Sequence, residues 1–240
     1  MQIEILLVIA LGIFLGFFIQ TVIGFAGALV ALPILLFVVG LSDAIAYISL
    51  FYFLSSIYLV KKEWINIDKK LIIKVAISST IGIAVGIWVL NFGRALILKK
   101  LLGVFLLVYV IYSLYDVKKF KTSSLLEYTF GFLGGFFSGL FSTGGPLFVI
   151  LVKNATLDMK TFRATMFGVL GLVSIIRVPM ISIGGILHWH HLYYSLFILP
   201  FFFIAIFLGK KMYSKINESV LRKSVLAVLF FSGVILLIKS

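Results

Sequence analysis

Residues 14–29 read FLGFFIQTVIGFAGAL, and residues 132–147 read FLGGFFSGLFSTGGPL. The two stretches lie 118 residues apart, and each places small or polar residues inside a long hydrophobic run that carries no charge. The match continues at the same offset, where it pairs Ala46, Leu54, Ser56 and Val60 with Ala164, Leu172, Ser174 and Val178. A repeated interruption of this kind predicts a duplicated membrane protein in which each half contains a broken helix.

The composition of the 240 residues excludes a water-soluble globule. Hydrophobic residues make up 62% of the chain and charged residues 12%, so too little polar surface exists to cover a globular domain. The net charge of +13 does not indicate a nucleic-acid partner, because the basic residues form short clusters between apolar runs, as in the cytoplasmic loops of membrane proteins. The sequence therefore predicts the lipid bilayer as the surrounding partner. The chain contains no cysteine, which excludes disulfides and thiolate metal sites.

The first hydrophobic run is too long to cross a bilayer once. No charge occurs in the 38 residues 5–42, and one straight helix of that length would measure about 57 Å against a hydrocarbon core of roughly 30 Å. The run must therefore fold back on itself. We expect the turn within residues 20–27, and the matching turn of the second copy within residues 138–145.

The placement of lysine and arginine predicts the topology. If each broken element returns to its own side of the membrane, sixteen basic residues fall on one face, predicted to be cytoplasmic, and four on the other. The four are Arg94, Lys99, Lys100 and Lys239. We therefore predict an all-α polytopic membrane protein of about eight helical elements, built from two inverted repeats that each contain a broken-helix hairpin plus three transmembrane helices. The repeats are expected at residues 1–117 and 125–240, with a connecting cytoplasmic loop at 118–124 and both termini outside.

The two predicted breaks define a candidate anion-binding site. A half-helix should begin after each break, near Ala28 in the first copy and at Pro146 in the second. The free N–H groups and positive dipole end of such a helix attract anions, and inverted repeats would bring the two ends together. The predicted substrate-binding residues are Gln20, Thr21, Gly24, Gly27, Ser56, Ser138, Ser142, Thr143, Gly144, Gly145, Pro146, Ser174 and Arg177. The alternative is that the small residues only let helices pack closely.

Two parts of this candidate site admit a second interpretation. Arg177 is the one charged residue well inside a predicted span, and it either binds the anion or snorkels to the outer membrane interface. Ser56 and Ser174 either add hydroxyl groups to the site or bond to the backbone of their own helices. The sequence leaves both pairs of alternatives open.

The sequence predicts neither a metal site nor a cofactor. The cluster of His188, His190 and His191 has metal-ligating side chains, but on the predicted topology it lies in an outer interfacial turn, where amphipathic rings are common. The eight acidic residues all lie at or near the ends of hydrophobic runs. No buried carboxylate relay for protons is therefore expected.

The motifs around the two breaks are similar to those of one transporter family. They are Gly16, Phe18, Gly24, Gly27 and Pro33 in the first copy, Gly134, Gly135, Ser138, Gly139, Gly144, Gly145 and Pro146 in the second, and Phe162, Arg163, Ala164 and Thr165 after it. With these motifs the chain resembles the sulfite exporter TauE/SafE family of membrane permeases over essentially its whole length. It departs from the family pattern at Ala26, where a glycine is common, and at Ser174, where an asparagine is common.

The resemblance implies a multi-pass protein of the cytoplasmic membrane that moves small anions such as sulfite, sulfonates or sulfoacetate. The leading hypothesis is a secondary transporter, and not an enzyme, which binds a small inorganic or organic anion between the glycine-rich breaks and moves it by alternating access. The alternatives are an integral membrane enzyme acting on lipid-linked substrates and a non-transporting membrane scaffold. The sequence leaves open the identity of the anion, the transport direction, any coupling ion and the formation of a homodimer.

Overall fold

The computed structural model describes residues 2–115, 124–156, 158–213 and 218–238, and within them the chain forms ten α-helices and no strand. The first five helices are α1 (Ile3–Ile23), α2 (Gly27–Leu35), α3 (Leu41–Glu63), α4 (Lys69–Phe92) and α5 (Ala95–Leu114). The second five are α6 (Ser124–Phe141), α7 (Gly145–Ala155), α8 (Met159–Ile183), α9 (Trp189–Met212) and α10 (Glu218–Ile238). The all-α prediction is confirmed. The predicted connecting loop lies, apart from Ser124, outside the described residues.

The helix count differs from the predicted eight elements because each hairpin consists of two separate helices, α1 with α2 and α6 with α7. The breaks are also shorter than expected. Helix α1 continues through Gln20 and Thr21 to Ile23, and α6 continues through Ser138 to Phe141. The Thr21 hydroxyl donates to the carbonyl of Phe17 at 2.7 Å, so this polar side chain is satisfied inside the helix and does not end it.

Both broken elements end their first helix with a residue in the left-handed conformation. Gly24 has φ of 98° and Ser142 has φ of 63°, and the two positions match in the duplication. The Gly24 amide donates to the carbonyl of Gln20 at 2.7 Å, and the Ser142 amide donates to the carbonyl of Ser138 at 2.9 Å. Such caps satisfy the last carbonyls of a helix and turn the chain away from its axis. The breaks therefore share this cap but differ two residues later, where Ala26 has φ of 75° and the matching Gly144 has φ of −66°.

The helices have the length and surface of a membrane protein. Seven of the described helices, α1, α3, α4, α5, α8, α9 and α10, are long and apolar enough to cross a bilayer, while α2, α6 and α7 are shorter. Large apolar side chains are exposed in a stripe along α4 that includes Ile73, Ile77, Ile81 and Trp88. An exposed stripe of this size would be unfavourable in water and is favourable against lipid. The chain is thus a multi-pass membrane protein.

The packing of the helices is symmetric between the two halves. If each of the first five helices is swapped with its counterpart among the second five, the same helix pairs result. Helix α3 packs on α8, α5 on α10, α1 on α9 and α4 on α6. The α3–α8 pair is antiparallel, because Gly168 lies against Ile67 and Gly171 lies against Val60 and Ser56. Two inverted repeats would produce this arrangement, and the inverted repeat stays a prediction that the pairing supports.

Each broken element packs against a spanning helix of the other half. Helix α1 lies along α9, where a Cβ added at Gly209 would come within 2.8 Å of the Thr21 Cβ. Helix α6 lies along α4, where a Cβ at Gly139 would come within 3.0 Å of the Ile83 Cα. Small residues of this kind let membrane helices approach closely. The position of each break is therefore set by a helix from the opposite half.

Candidate functional site

The tips of the two broken elements meet. A Cβ at Gly145 would lie 3.6 Å from the Cβ of Phe25 and 3.9 Å from the amide nitrogen of Ala26. Helix α2 begins one residue after Ala26, and α7 begins at Gly145 itself. The positive dipole ends of both half-helices thus start beside this contact. The chain brings together the two breaks that were singled out from the sequence.

The first tip is lined by the end of α1 and the middle of α3. Gln20 is 2% exposed, its Nε2 donates to the Ser55 hydroxyl at 3.4 Å, and its Oε1 has no partner in the described part of the chain. A Cβ at Gly27 would overlap this Oε1 and lie 3.2 Å from the Tyr52 hydroxyl. The Ala28 amide donates to that hydroxyl at 3.0 Å. Gly27 therefore allows the Gln20 amide and the Tyr52 hydroxyl to lie against the first turn of α2.

The second tip carries two buried hydroxyls that have no partner. Ser142 and Thr143 are 5% and 1% exposed, and neither Oγ nor Oγ1 makes a hydrogen bond with the described residues. Gly144 precedes α7, where a Cβ would overlap the Ser138 hydroxyl, so Ser138 lies against the turn. Pro146 occupies the first turn of α7, where a missing N–H costs no helical hydrogen bond. Hydroxyls and a helix N-terminus thus occur together at this tip.

Arg177 lies buried on α8 near the crossing with α3. Its side chain is 3% exposed, and Nε and Nη2 have no hydrogen-bond partner among the described residues. Gly171 of α8 lies against Ser56 of α3, and the two helices are antiparallel. Arg177, six residues later on α8, therefore comes to about the level of Tyr52, four residues earlier on α3. An arginine that snorkels keeps its guanidinium in contact with the interface. The burial of Arg177 does not fit that alternative and leaves an uncompensated cation inside the bundle.

The paired serines bond within their own helices. The Ser56 hydroxyl donates to the carbonyl of Tyr52 at 2.7 Å, and the Ser174 hydroxyl donates to the carbonyl of Leu170 at 2.7 Å. Their protons are therefore engaged, as is the proton of Thr21. This geometry favours the structural alternative for both serines, since an anion needs donors.

Arg163 holds the first tip in place from the other half of the chain. Its Nε and Nη2 donate to the carbonyl of Thr21 at 3.1 and 2.5 Å, and its Cγ would lie 3.1 Å from a Cβ at Gly24. Its guanidinium also lies 4.0 Å from the centre of the Tyr213 ring. A carbonyl in the last turn of α1 has no helical partner of its own, and Arg163 supplies one. The matching position of the first half is Ile45, so the second tip has no equivalent arginine.

The histidine cluster has ligand geometry, but both ring nitrogens of His191 are already engaged. Asp43, His190 and His191 place their side-chain nitrogens and oxygens within 4.8 Å of one another. However, the backbone N–H of His188 donates to Nδ1 of His191 at 3.0 Å, which places the proton of the neutral ring on Nε2. That Nε2 lies 3.0 Å from Asp43 Oδ1 and donates to it. The arrangement links the first turn of α9 to the first turn of α3 and does not favour a metal.

A cavity of about 320 Å³ opens beside the first tip, on the side predicted to be cytoplasmic. Phe25 and Ala26 of the tip form part of its wall, and Lys153 of α7 and Asp158 are its charged groups. The Thr161 amide donates to the Asp158 carboxylate at 2.9 Å, which lowers the pKa of Asp158. The acid and the base thus offset each other near neutral pH. This cavity is better suited to admit a solute than to hold an anion.

Buried polar atoms without a partner are concentrated on the predicted site. Seven such side-chain atoms occur in the described part of the chain, and five of them belong to four predicted site residues, namely Gln20, Ser142, Thr143 and Arg177. The other two belong to Ser195 and Lys210. Buried polar groups in native proteins are almost always hydrogen-bonded, so each exception needs an explanation.

Sequence reasoning missed three residues of this region. Tyr52 and Ser55 contact the first tip from α3, and Arg163 contacts it from α8. The available signal for Tyr52 was its position one turn before Ser56 on the same helix face. Arg163 was singled out only as part of a motif, because no local pattern shows which distant carbonyl a side chain will reach.

Comparison with known proteins gives a consistent result. A family model described as sulfite exporter TauE/SafE matches residues 8–236 of the chain. A probable membrane transporter protein of Methanocaldococcus jannaschii is 30% identical over 208 residues, which cover 79% of this chain and 75% of that relative. No solved structure matches the chain.

Proposed function

Because this chain belongs to the sulfite exporter TauE/SafE family of membrane transporters, we propose that it carries a small oxyanion such as sulfite or an organosulfonate. The anion binds where the two broken elements meet and crosses by alternating access of the two halves. The family and the relative's name point to a transporter and not to an enzyme. We place the protein in the cytoplasmic membrane with both termini outside, following the distribution of its basic residues.

The observation that carries this proposal is the set of buried polar atoms without partners. Burying an unpaired guanidinium costs several kcal/mol, and burying an unpaired hydroxyl costs about 1–3 kcal/mol. Arg177, Ser142 and Thr143 together offer N–H and O–H donors that nothing else in the described residues accepts. A bound oxyanion would accept hydrogen bonds from such donors and would neutralise the cation. The sequence patterns, the tip contact and the family membership all support the same class of ligand.

The two helices of each broken element differ in length, and this supports a route by which the site opens to one side of the membrane at a time. Helix α1 has 21 residues and α2 has 9, while α6 has 18 and α7 has 11. Each element therefore reaches the tip contact from its own side, and the cavity beside Phe25 gives a route from the predicted cytoplasmic face. An anion that leaves a cell with a negative interior moves down the electrical gradient, so export requires no coupled ion.

Flux measurements on the full chain in proteoliposomes test the proposal. Labelled sulfite and an organosulfonate are loaded, and efflux is followed with the membrane potential set by a potassium gradient and valinomycin. We expect efflux that saturates with anion concentration and accelerates when the interior is negative. Protein-free vesicles are the control. If neither anion, nor sulfate or acetate, is transported above that control, the transport proposal is wrong and a scaffold function is favoured.

A further inference from the structure

Tyr52 was not a predicted site residue, yet it lies between the first tip and Arg177. It is the middle residue of α3 and is 6% exposed. We propose that the Tyr52 hydroxyl and the Arg177 guanidinium form the primary oxyanion-binding pair of the transporter, and that the hydroxyl selects oxyanions over halides. This inference rests on the proposed function and names the residues that carry its specificity.

The hydrogen bonding of Tyr52 leaves its proton available. Its oxygen accepts the Ala28 N–H at 3.0 Å, and Ala28 is the second residue of α2, where an N–H has no helical partner. A phenol oxygen that accepts one hydrogen bond can still donate its own proton. That proton makes no hydrogen bond with the described residues, although Gln20 Oε1, an acceptor without a partner there, lies at the same tip. The positive end of α2 also polarises the hydroxyl and strengthens it as a donor.

Arg177 supplies the charge for the same site. Its unpaired Nε and Nη2 are two donors of a planar group that can bind two oxygens of one anion. No acidic side chain of the described residues forms a salt bridge with Arg177. A bound anion would supply the counter-charge that the described residues lack. An oxyanion with two or three oxygens can accept from the guanidinium and from the phenol at once, whereas a halide lacks this directed arrangement.

The pair of Tyr52 and Arg177 has no counterpart at the positions that the duplication relates to it. At the offset of 118 residues, Tyr52 corresponds to Leu170 and Arg177 corresponds to Leu59. One partner comes from α3 of the first half and the other from α8 of the second half, at the crossing of these two helices. The molecule thus has one such pair, and the pair lies between the two halves that would move against each other. A single anion per transport cycle follows from this arrangement.

Sulfite binding to the purified full-length protein tests the pair. Isothermal titration measures the sulfite Kd of the wild type, of Tyr52→Phe and of Tyr47→Phe. Tyr47 is a matched control, because it is buried on the same helix but its ring packs against His191. We expect Tyr52→Phe to raise the Kd about tenfold or more, the usual value of a hydrogen bond to a charged group, and Tyr47→Phe to leave it unchanged. The preference for sulfite over chloride in competition should fall in parallel for Tyr52→Phe alone.

A second variant keeps the test valid if Tyr52→Phe does not fold. Ala28→Pro removes the N–H that the Tyr52 oxygen accepts, and the matching position of the second half is already a proline, Pro146. This variant should weaken sulfite binding by a few fold, because the hydroxyl loses the group that orients it. Wild-type sulfite affinity and selectivity in folded Tyr52→Phe or in Ala28→Pro would overturn the pair while leaving transport intact. Absence of any anion flux by the wild type would instead overturn the proposed function.

Discussion

At the scale of single residues, the proposed function depends on a cation that has no acidic partner among the described residues. Arg177 is 3% exposed, and no acidic residue of the described chain forms a salt bridge with it. A buried charge of this kind is expensive and is kept where it serves a function. In the proposed function, the choice of an anion as the substrate therefore depends most on this guanidinium.

Replacement of Arg177 should weaken anion binding strongly. Because removing one partner of a buried charge pair costs about 2–5 kcal/mol, we expect Arg177→Ala to raise the sulfite Kd by at least about thirtyfold. Arg177→Lys should keep part of the affinity, since the charge remains but the bidentate geometry is lost. Isothermal titration calorimetry measures the sulfite Kd of both variants. Arg94→Ala, an exposed arginine at the start of α5, is the control for net charge. Unchanged affinity in both Arg177 variants would contradict this role.

The paired glycines at the starts of α2 and α7 should differ in their tolerance of a methyl group. A Cβ at Gly27 would overlap Gln20 Oε1, whereas a Cβ at Gly145 would have its nearest neighbour at 3.6 Å. We therefore expect Gly27→Ala to lower the free energy of unfolding by about 1–3 kcal/mol and to reduce transport. Gly145→Ala should be close to wild type in both. Thermal unfolding and flux in proteoliposomes check this, and equal effects at the two positions would contradict it.

At the scale of helical elements, the two breaks are held differently. The first tip is fixed by Arg163, which donates twice to the carbonyl of Thr21. The second tip has Ile45 at the matching position of the opposite half, and the α6 helix that leads to it packs against α4. The two broken elements are therefore related by the duplication, but they are held in place by different contacts.

Loss of Arg163 should release the first tip. Hydrogen bonds from a charged group are worth about 1.5–3 kcal/mol, so Arg163→Ala should lower the free energy of unfolding by about that amount. Amide hydrogen exchange should also rise in residues 24–28. Arg163→Lys should lie between, because an ammonium lacks the planar fork. Lys160→Ala, an exposed residue three positions earlier on α8, is the control. Wild-type stability and exchange in Arg163→Ala would show that the tip is held by other contacts.

The elements themselves were largely predictable, because the bilayer fixes how long a helix can be. The length of the first apolar run predicts a fold back, and the structure has it. The position of the break was less accurate, since Thr21 bonds to its own helix and stays helical. Tyr52 was missed although it lies one turn before Ser56 on the same helix face, because its partner Ala28 lies on another helix. Short-range patterns thus define elements, and packing defines the site.

At the scale of the whole molecule, the topology rests on the distribution of basic residues, and labelling can test it directly. The chain has no cysteine, so single cysteines can be introduced without background. Cysteines at exposed Gln2 and Ser42 should both react with a membrane-impermeant maleimide in intact cells. A cysteine at exposed Lys62 should react only after permeabilisation. Reaction of position 2 but not position 42 from outside would show that the first broken element crosses the membrane once.

Helices of one half pack against helices of the other half, and this has a consequence for the order in which the protein is assembled in the membrane. Helix α4 is synthesised before the α6 helix against which it packs, and α1 is synthesised long before α9. Ser78 and Ser79 of α4, which lie against Gly131 and Gly135 of α6, must therefore wait in the translocon or in lipid for a partner. Insertion of the early segments can proceed on its own, but assembly is completed only when the ribosome has delivered the last third of the chain. A truncated nascent chain would be a substrate for membrane quality control.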